Sequence, residues 1–229
     1  MAKNYKTILA EAHASDDEKW IVYDPNKSTE SIDDWLEEWA PSRISRDDGI
    51  GWIAICGRNR ETESQIHDVD GLMDAWKELQ HSGRPINLET ISELAKQYCV
   101  TCGKWIIYAG PNAKVDSYWK KVATAIVKDQ LPAISAKVSP LSTDKNTHVL
   151  CIYNKDFTDE EEVCHLEHAI RKIGLKCQLV YKPDAYTYMG IYRKNKWGLR
   201  PTIYKSDYEL TSGQSIIKTN SEVPRILQS

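Results

Sequence analysis

The spacing of apolar residues divides the chain into short strands and amphipathic helices. Lys19-Trp-Ile-Val-Tyr23, Gly51-Trp-Ile-Ala-Ile-Cys56, Lys104-Trp-Ile-Ile-Tyr108, Ile134-Ser-Ala-Lys-Val-Ser139, His148-Val-Leu-Cys-Ile-Tyr153 and the run Cys177 to Tyr181 are β-branched and aromatic. Each predicts a strand. Helical spacing recurs between them: Ile32, Trp35, Leu36 and Trp39; Val69, Leu72, Met73, Trp76 and Leu79; Leu88, Ile91, Leu94, Ala95 and Tyr98; Val115, Trp119, Val122, Ala123 and Ile126. Ser31 with Asp34, Asn87, and Thr158 with Glu161 stand where N-caps belong, and Gly174 stops the helix that follows Thr158. Lys19-Trp-Ile-Val-Tyr-Asp-Pro-Asn and Lys104-Trp-Ile-Ile-Tyr-Ala-Gly-Pro-Asn repeat one word, each followed by a helix carrying an acid and a tryptophan. Repeated strand–helix units predict an α+β fold with helices on one face of a sheet.

The pattern changes after Tyr181. From Tyr181 to Lys205 six basic residues, five tyrosines and one tryptophan meet a single acid, Asp184. Tyr186 to Lys194 alternates and predicts a strand with Tyr186, Tyr188, Tyr192 and Lys194 on one side and Met189, Ile191 and Arg193 on the other. A turn at Asn195–Gly198 sets Trp197 at its tip. Leu199–Tyr204 predicts an edge strand, because Pro201 has no N–H for a ladder. Flat rings beside cations suit a stacked base and its phosphates, and equally suit a tyrosine ladder with a soluble lysine surface.

Charge separates along the chain. Residues 1–102 carry 11 Lys+Arg against 20 Asp+Glu, and the remainder carries 19 against 13, so a net of −9 faces a net of +6. The basic half favours an anionic partner or packing against the acidic half. No apolar run is long enough to span a membrane, and residues 1–6 lack the apolar core of a secretory signal, so the expectation is a cytoplasmic protein, with the nucleus left open. Six cysteines then read as thiols; Cys99-Val-Thr-Cys102 lacks a second ligand pair for zinc. Arg58 and Arg60 after Gly57 suit a phosphate or, more simply, a solvated loop balanced by Glu61 and Glu63. No nucleotide-binding glycine motif, nucleophile elbow or cofactor signature is present in the sequence, so no cofactor and no metal are expected.

The words Gly103-Lys-Trp-Ile-Ile, Val115-Asp-Ser-Tyr-Trp119, Ile134-Ser-Ala-Lys-Val138, Val149-Leu-Cys-Ile-Tyr153 and Ile173-Gly-Leu175 resemble, in order, the cap-binding translation initiation factor 4E. Asp156-Phe-Thr-Asp-Glu-Glu, Tyr181-Lys-Pro-Asp-Ala-Tyr-Thr-Tyr-Met-Gly-Ile-Tyr-Arg193 and Trp197-Gly-Leu-Arg-Pro-Thr-Ile-Tyr204 resemble the uncharacterised basophilic-leukaemia-expressed protein family, over nearly the whole chain. The resemblance implies a 4E-like α+β domain: a curved, mostly antiparallel sheet with helices packed on one face. Its expected span is residues 18–210, with flexible segments at 1–17 and 211–229. The cap-binding factor holds methylguanine between two loop tryptophans. The second should fall shortly before Gly103, where Leu88–Cys102 has none, and the phosphate-binding arginine should fall near Lys137, Val138 and Ser139. The resemblance therefore implies the scaffold without a conventional mRNA cap site.

Three functions compete. The first is binding of RNA or a nucleotide on the concave sheet, with Lys137, Lys182, Arg193, Lys196 and Arg200 meeting phosphates while Tyr186, Tyr188 and Trp197 stack. The second is a protein partner on the helical face at Trp35, Trp39, Trp76 and Trp119, residues that equally fit the core. The third, placed last, is an enzyme acting on a nucleotide or RNA end, with Asp184 beside Lys182 and Arg193.

Overall fold

A computed structural model of the protein describes residues 18–58, 67–142 and 146–220. Eight strands form one sheet: β1 (Lys19–Tyr23), β2 (Ile50–Cys56), β3 (Gly103–Ala109), β4 (Ser135–Val138), β5 (His148–Asn154), β6 (Leu179–Pro183), β7 (Tyr204–Glu209) and β8 (Gln214–Thr219). Their spatial order is β1-β2-β4-β5-β3-β6-β7-β8. The β1–β2 pair is parallel and every other pair is antiparallel. The helices are α1 (Ile32–Glu38), α2 (Val69–His81), α3 (Leu88–Gln97), α4 (Ala113–Val127), α5 (Glu160–Lys172) and the single-turn α6 (Asp184–Tyr188). The fold is α+β, as the residue pattern predicts.

Period-2 alternation assigns each strand's side chains to two faces. Ile53, Ile55, Trp105, Ile107, Leu150, Ile152, Leu179 and Tyr181 join the helices' apolar stripes in the main core. Trp105 is fully buried, and its Nε1–H donates to Val163 O of α5 at 3.0 Å. The opposite face, free of the long helices, carries a small separate cluster of Ile106, Cys151 and Tyr153. The repeated word of the sequence is therefore out of phase in space. Trp105 points into the core, whereas Trp20 pairs with Trp52 on the open face.

Capping residues fix the helix entries. Ser31 Oγ accepts from Asp34 N and donates to Asp34 Oδ2, and Asn87 and Thr90 form a reciprocal capping box. The box expected at Thr158 and Glu161 sits one residue on: Asp159 accepts from Glu162 N, while the Thr158 hydroxyl donates to Asp156. A buried carboxylate then binds the last hairpin to the helix layer. Glu167 of α5 accepts from Arg171 Nε (2.7 Å), Ser206 Oγ (2.5 Å) and Ser215 Oγ (3.1 Å), the serines lying on β7 and β8.

Three expectations for the C-terminal region are corrected. Tyr186 to Lys194 is not a strand. Pro183 ends the ladder because it lacks an N–H, and the chain winds into α6, which closes at Gly190 in the left-handed region (φ +68). The stretch expected as an edge strand at Leu199–Tyr204 is a loop up to residue 203, and Tyr204 opens β7 inside the sheet. Before it, the Asn195 side chain accepts from the N–H groups of Trp197 and Leu199 and donates to the carbonyls of Tyr192 and Leu199, holding residues 192–199 as a loop. The segment expected as a flexible tail from residue 211 supplies β8 and completes the sheet. The expectations for residues 1–17, including a loose helix at Lys6–Ala14, and for residues 221–229 fall outside the described residues.

Candidate functional site

Strand register places three lysines on the open face. Lys137 of β4 lies opposite Ala54 and Cys151; Lys104 of β3 lies opposite Tyr153 and Lys182. Each occupies the alternate position of a strand whose other side chains build the core, and each is at most 6% exposed. Aromatic rings enclose them. The Lys137 ammonium is 4.1 Å from the ring centre of Trp52, 4.9 Å from Trp20 and 5.9 Å from Tyr153. Lys104 is 5.3 Å from the same Tyr153 ring, and Lys182 is 3.8 Å from Tyr192. Such contacts stabilise a desolvated cation.

One carboxylate enters the cluster. Lys104 Nζ is ion-paired with Asp184 Oδ1 and donates to Thr187 Oγ1, so α6 delivers both partners. Lys182 Nζ donates to the Ile191 carbonyl at 3.1 Å. Burial pulls Lys137 down to about 8, and Lys104 pushes the same way against Cys151 and Asp184. Lys182 is also drawn down to about 8, by burial and then by Lys104. Burial opposes the charge of Lys104 too, yet Asp184 and Cys151 outweigh it and hold its pKa above the ordinary value. Burial likewise pushes the Cys151 thiol and the Tyr153 phenol up.

The surroundings are rich in donors. The buried Nε1–H groups of Trp20 and Trp52 find no acceptor among the described residues. Their rings are 6.2 Å apart and tilted by 47°, so they wall Lys137 and leave no parallel slot for a base between them. Tyr108, 62% exposed and opposite Val149 on the same face, and Tyr192, 43% exposed, are the aromatic surfaces open to a ligand. Beneath the cluster, Gly103 admits Tyr181, whose hydroxyl donates to Asn154 Oδ1; a Cβ at Gly103 would meet Tyr181 Cζ at 2.7 Å.

Of the eight residues expected from sequence, Lys137 and Lys182 are in this cluster. Tyr186 is 2% exposed and belongs to the main core, because α6 turns it inward. Tyr188 is partly buried and packs on that core. Trp197 folds back onto Trp76, edge to face at 4.7 Å, and is no turn-tip platform. Arg193, Lys196 and Arg200 are exposed in the loop that Asn195 organises. Asp184 pairs with Lys104 rather than with Arg193. Lys104, Trp20, Trp52 and Tyr153 were missed; the available signal was a lysine inside an otherwise apolar strand.

The other candidates change as well. Trp35, Trp76 and Trp119 are at most 3% exposed, so they fill the core and offer no partner surface. The helical face instead holds a groove of about 450 Å³ lined by Asp33, Asp34, Glu37, Asp116 and Lys120. Arg58 Nε donates to Val127 O, which turns that arginine from a phosphate role to a structural one. Burial pushes the Cys102 thiol up to about 12, far from a reactive thiolate. Among the described residues no group of three or more His, Cys, Asp or Glu could hold a metal, and no helix is long and apolar enough to cross a membrane.

The chain is similar to two solved structures of schistosome eIF4E. One, complexed with m7GpppA and 4E-BP, is 14% identical at a TM-score of 0.38, covering 68% of this chain and 95% of that one. The other, complexed with m7GpppG and 4E-BP, is 15% identical at a TM-score of 0.35, covering 54% and 76%. Residues 76–190, which include Lys104, Lys137, Lys182 and Asp184, match the family described as basophilic leukemia-expressed protein Bles03, and the chain belongs to that family.

Proposed function

We propose that the open face binds a nucleotide or a segment of RNA, outside any conventional mRNA cap recognition. The carrying observation is three lysines buried among aromatic rings on β4, β3 and β6, with Asp184 as the carboxylate that Lys104 meets. An incoming phosphate adds anionic acceptors beside the Lys137 and Lys182 ammoniums and supplies the acceptors that the Trp20 and Trp52 N–H groups lack. Tyr108 and Tyr192 provide ring surface for a base. Arg193, Lys196 and Arg200 act at the rim, where they steer an anion inward.

The test is titration of single-stranded RNA and free nucleotides at several salt concentrations. Affinity is expected to fall steeply with salt. A Lys137→Met/Lys182→Met double variant should abolish it, and an Arg193/Lys196/Arg200→Ala variant should only weaken it. Binding indifferent to Lys137 and Lys182 overturns the reading. The acid-lined groove beside Asp33 and Asp116 supports a second reading, a basic protein partner on the helical face, favoured if no nucleotide or RNA binds. The Cys151 thiol beside Lys137 is pushed up by burial and so is poorly suited as a nucleophile, and binding rather than catalysis is the proposed activity.

A further inference from the structure

The open face does not end at Lys182. Pairing register runs a continuous row across the sheet: Ala54, Lys137, Cys151, Ile106, Val180, Lys205 and Lys218, on β2, β4, β5, β3, β6, β7 and β8. The next row holds Ser135, Tyr153, Lys104 and Lys182. Lys205 and Lys218 are therefore directly opposite each other on an antiparallel pair, an arrangement of like charges that destabilises a hairpin. Asp207 is the acid facing them: its carboxylate is 3.0 Å from Lys205 Nζ, and Lys205 and Lys218 both help hold its pKa below the usual carboxylate range. Lys218 is exposed, and Ile216, which pairs with Asp207, is 49% exposed beside it. Glu209 and Gln214 continue this face toward the turn, whereas Ser206 and Ser215 turn the other way and reach Glu167 in the helix layer.

We propose that the ligand of this face is a single-stranded RNA segment lying across the strands from β4 to β8, engaging Lys137 at one end, Lys104 and Lys182 in the middle, and Lys205 and Lys218 at the other end. This rests on the reading above and adds a length to it. Five strand spacings, about 24 Å, separate Lys137 on β4 from Lys218 on β8, with Lys104 and Lys182 between them. A mononucleotide held at Lys137 cannot reach Lys218, whereas a chain of roughly four nucleotides or more can, which is within the size range of single-strand sites on small sheets. Exposed Ile216 and Tyr192 offer apolar contact to bases along the way, and the unlike environments of the two ends divide the work. The buried lysines hold one phosphate tightly, and the exposed pair adds screened, additive attraction.

The experiment compares UMP, the octanucleotide U8 and an inorganic polyphosphate of similar charge on the full-length chain. U8 is expected to bind at least about tenfold tighter than UMP. A Lys205→Ala/Lys218→Ala variant should weaken U8 about tenfold and lower the slope of log affinity against log salt by about 1.4, two single-strand phosphate contacts. UMP affinity should not change and the melting temperature should change little, because Lys218 is exposed and the Lys205–Asp207 pair is solvent-screened. If U8 and UMP bind equally, or the variant leaves U8 unaffected while Lys137→Met/Lys182→Met abolishes binding, the extension is wrong and the nucleotide site stands. If neither UMP nor U8 binds, the underlying reading falls with it. Polyphosphate binding as tight as U8 would mean that charge alone is read, and would overturn the assignment to RNA.

Discussion

The Lys137 ammonium lies 4.1 Å from the centre of the Trp52 indole, inside a sheet face where it is 3% exposed. A hydrophobic side chain of similar length would fill the same space without desolvating a charge. Lys137→Met is therefore expected to raise the stability of the unliganded protein by about 1–3 kcal/mol, while abolishing nucleotide binding. Urea denaturation at pH 7, set beside a binding titration, reads both. A destabilised Lys137→Met protein would mean that the lysine is structural.

The same lysine predicts a pH dependence with two opposite signs. Lys137 and Lys182 carry pKa values of about 8, below the ordinary 10.5. Between those values the folded state holds fewer protons than the unfolded state, so this contribution to stability rises with pH; below about 8 the penalty is fully present. Buried Cys151, Tyr153 and Cys102 oppose it, since raised acid pKa values make stability fall at high pH. The clean quantity is thus the stability difference between Lys137→Met and the parent, expected to shrink as pH rises from 8 to 10.5. Anion affinity runs the other way: it needs the ammonium forms, holds below pH 8 and falls above it.

Trp197 separates a core role from a ligand role. Packed edge to face on Trp76 and partly buried, it should lose about 1–3 kcal/mol of stability as Trp197→Ala. RNA affinity, measured where the variant is still fully folded, should match the parent. A normal melting temperature with lost binding would restore it to the site.

Glu167 predicts the largest single loss. Fully buried, it is held by Arg171, Ser206 and Ser215. Glu167→Ala strands the Arg171 guanidinium, itself 7% exposed, and should cost about 3–5 kcal/mol. Glu167→Gln keeps the shape and should cost less. Chemical denaturation of the pair of variants checks the order.

The strands from β1 to β6 and the five helices α1 to α5 were legible because their periodicity is strong and each is bounded by a cap or a turn. The helix at Ser31 and the one at Asn87 begin where the capping residues stand. Illegible was the stretch after Pro183. Five residues of alternating tyrosine fit a strand and a single helical turn equally, and only the docking of Asp184 on Lys104, 80 residues earlier, decides between them. The site itself was half legible for the same reason. Composition drew attention to the basic tyrosine-rich segment, whereas the cluster is assembled by pairing register from β2 to β6, which brings Lys104, Lys137 and Lys182 together from three distant words. Trp20 was hidden by its likeness to Trp105, since one repeated word serves two opposite faces.

The β1–β2 pairing has a kinetic consequence for the site. β1 is five residues long, hydrogen-bonds to β2 alone among the described strands, is the sheet's single parallel member and has an irregular register between Lys19 and Trp20. Edge strands of this kind open far more often than the whole molecule unfolds. Trp20, one wall around Lys137, opens with it. The amides of β1 should exchange with solvent well ahead of those of β2, and each such excursion should bathe Lys137 in water, so the rate at which the proposed anion reaches the innermost cation is expected to follow the breathing of the sheet's first strand.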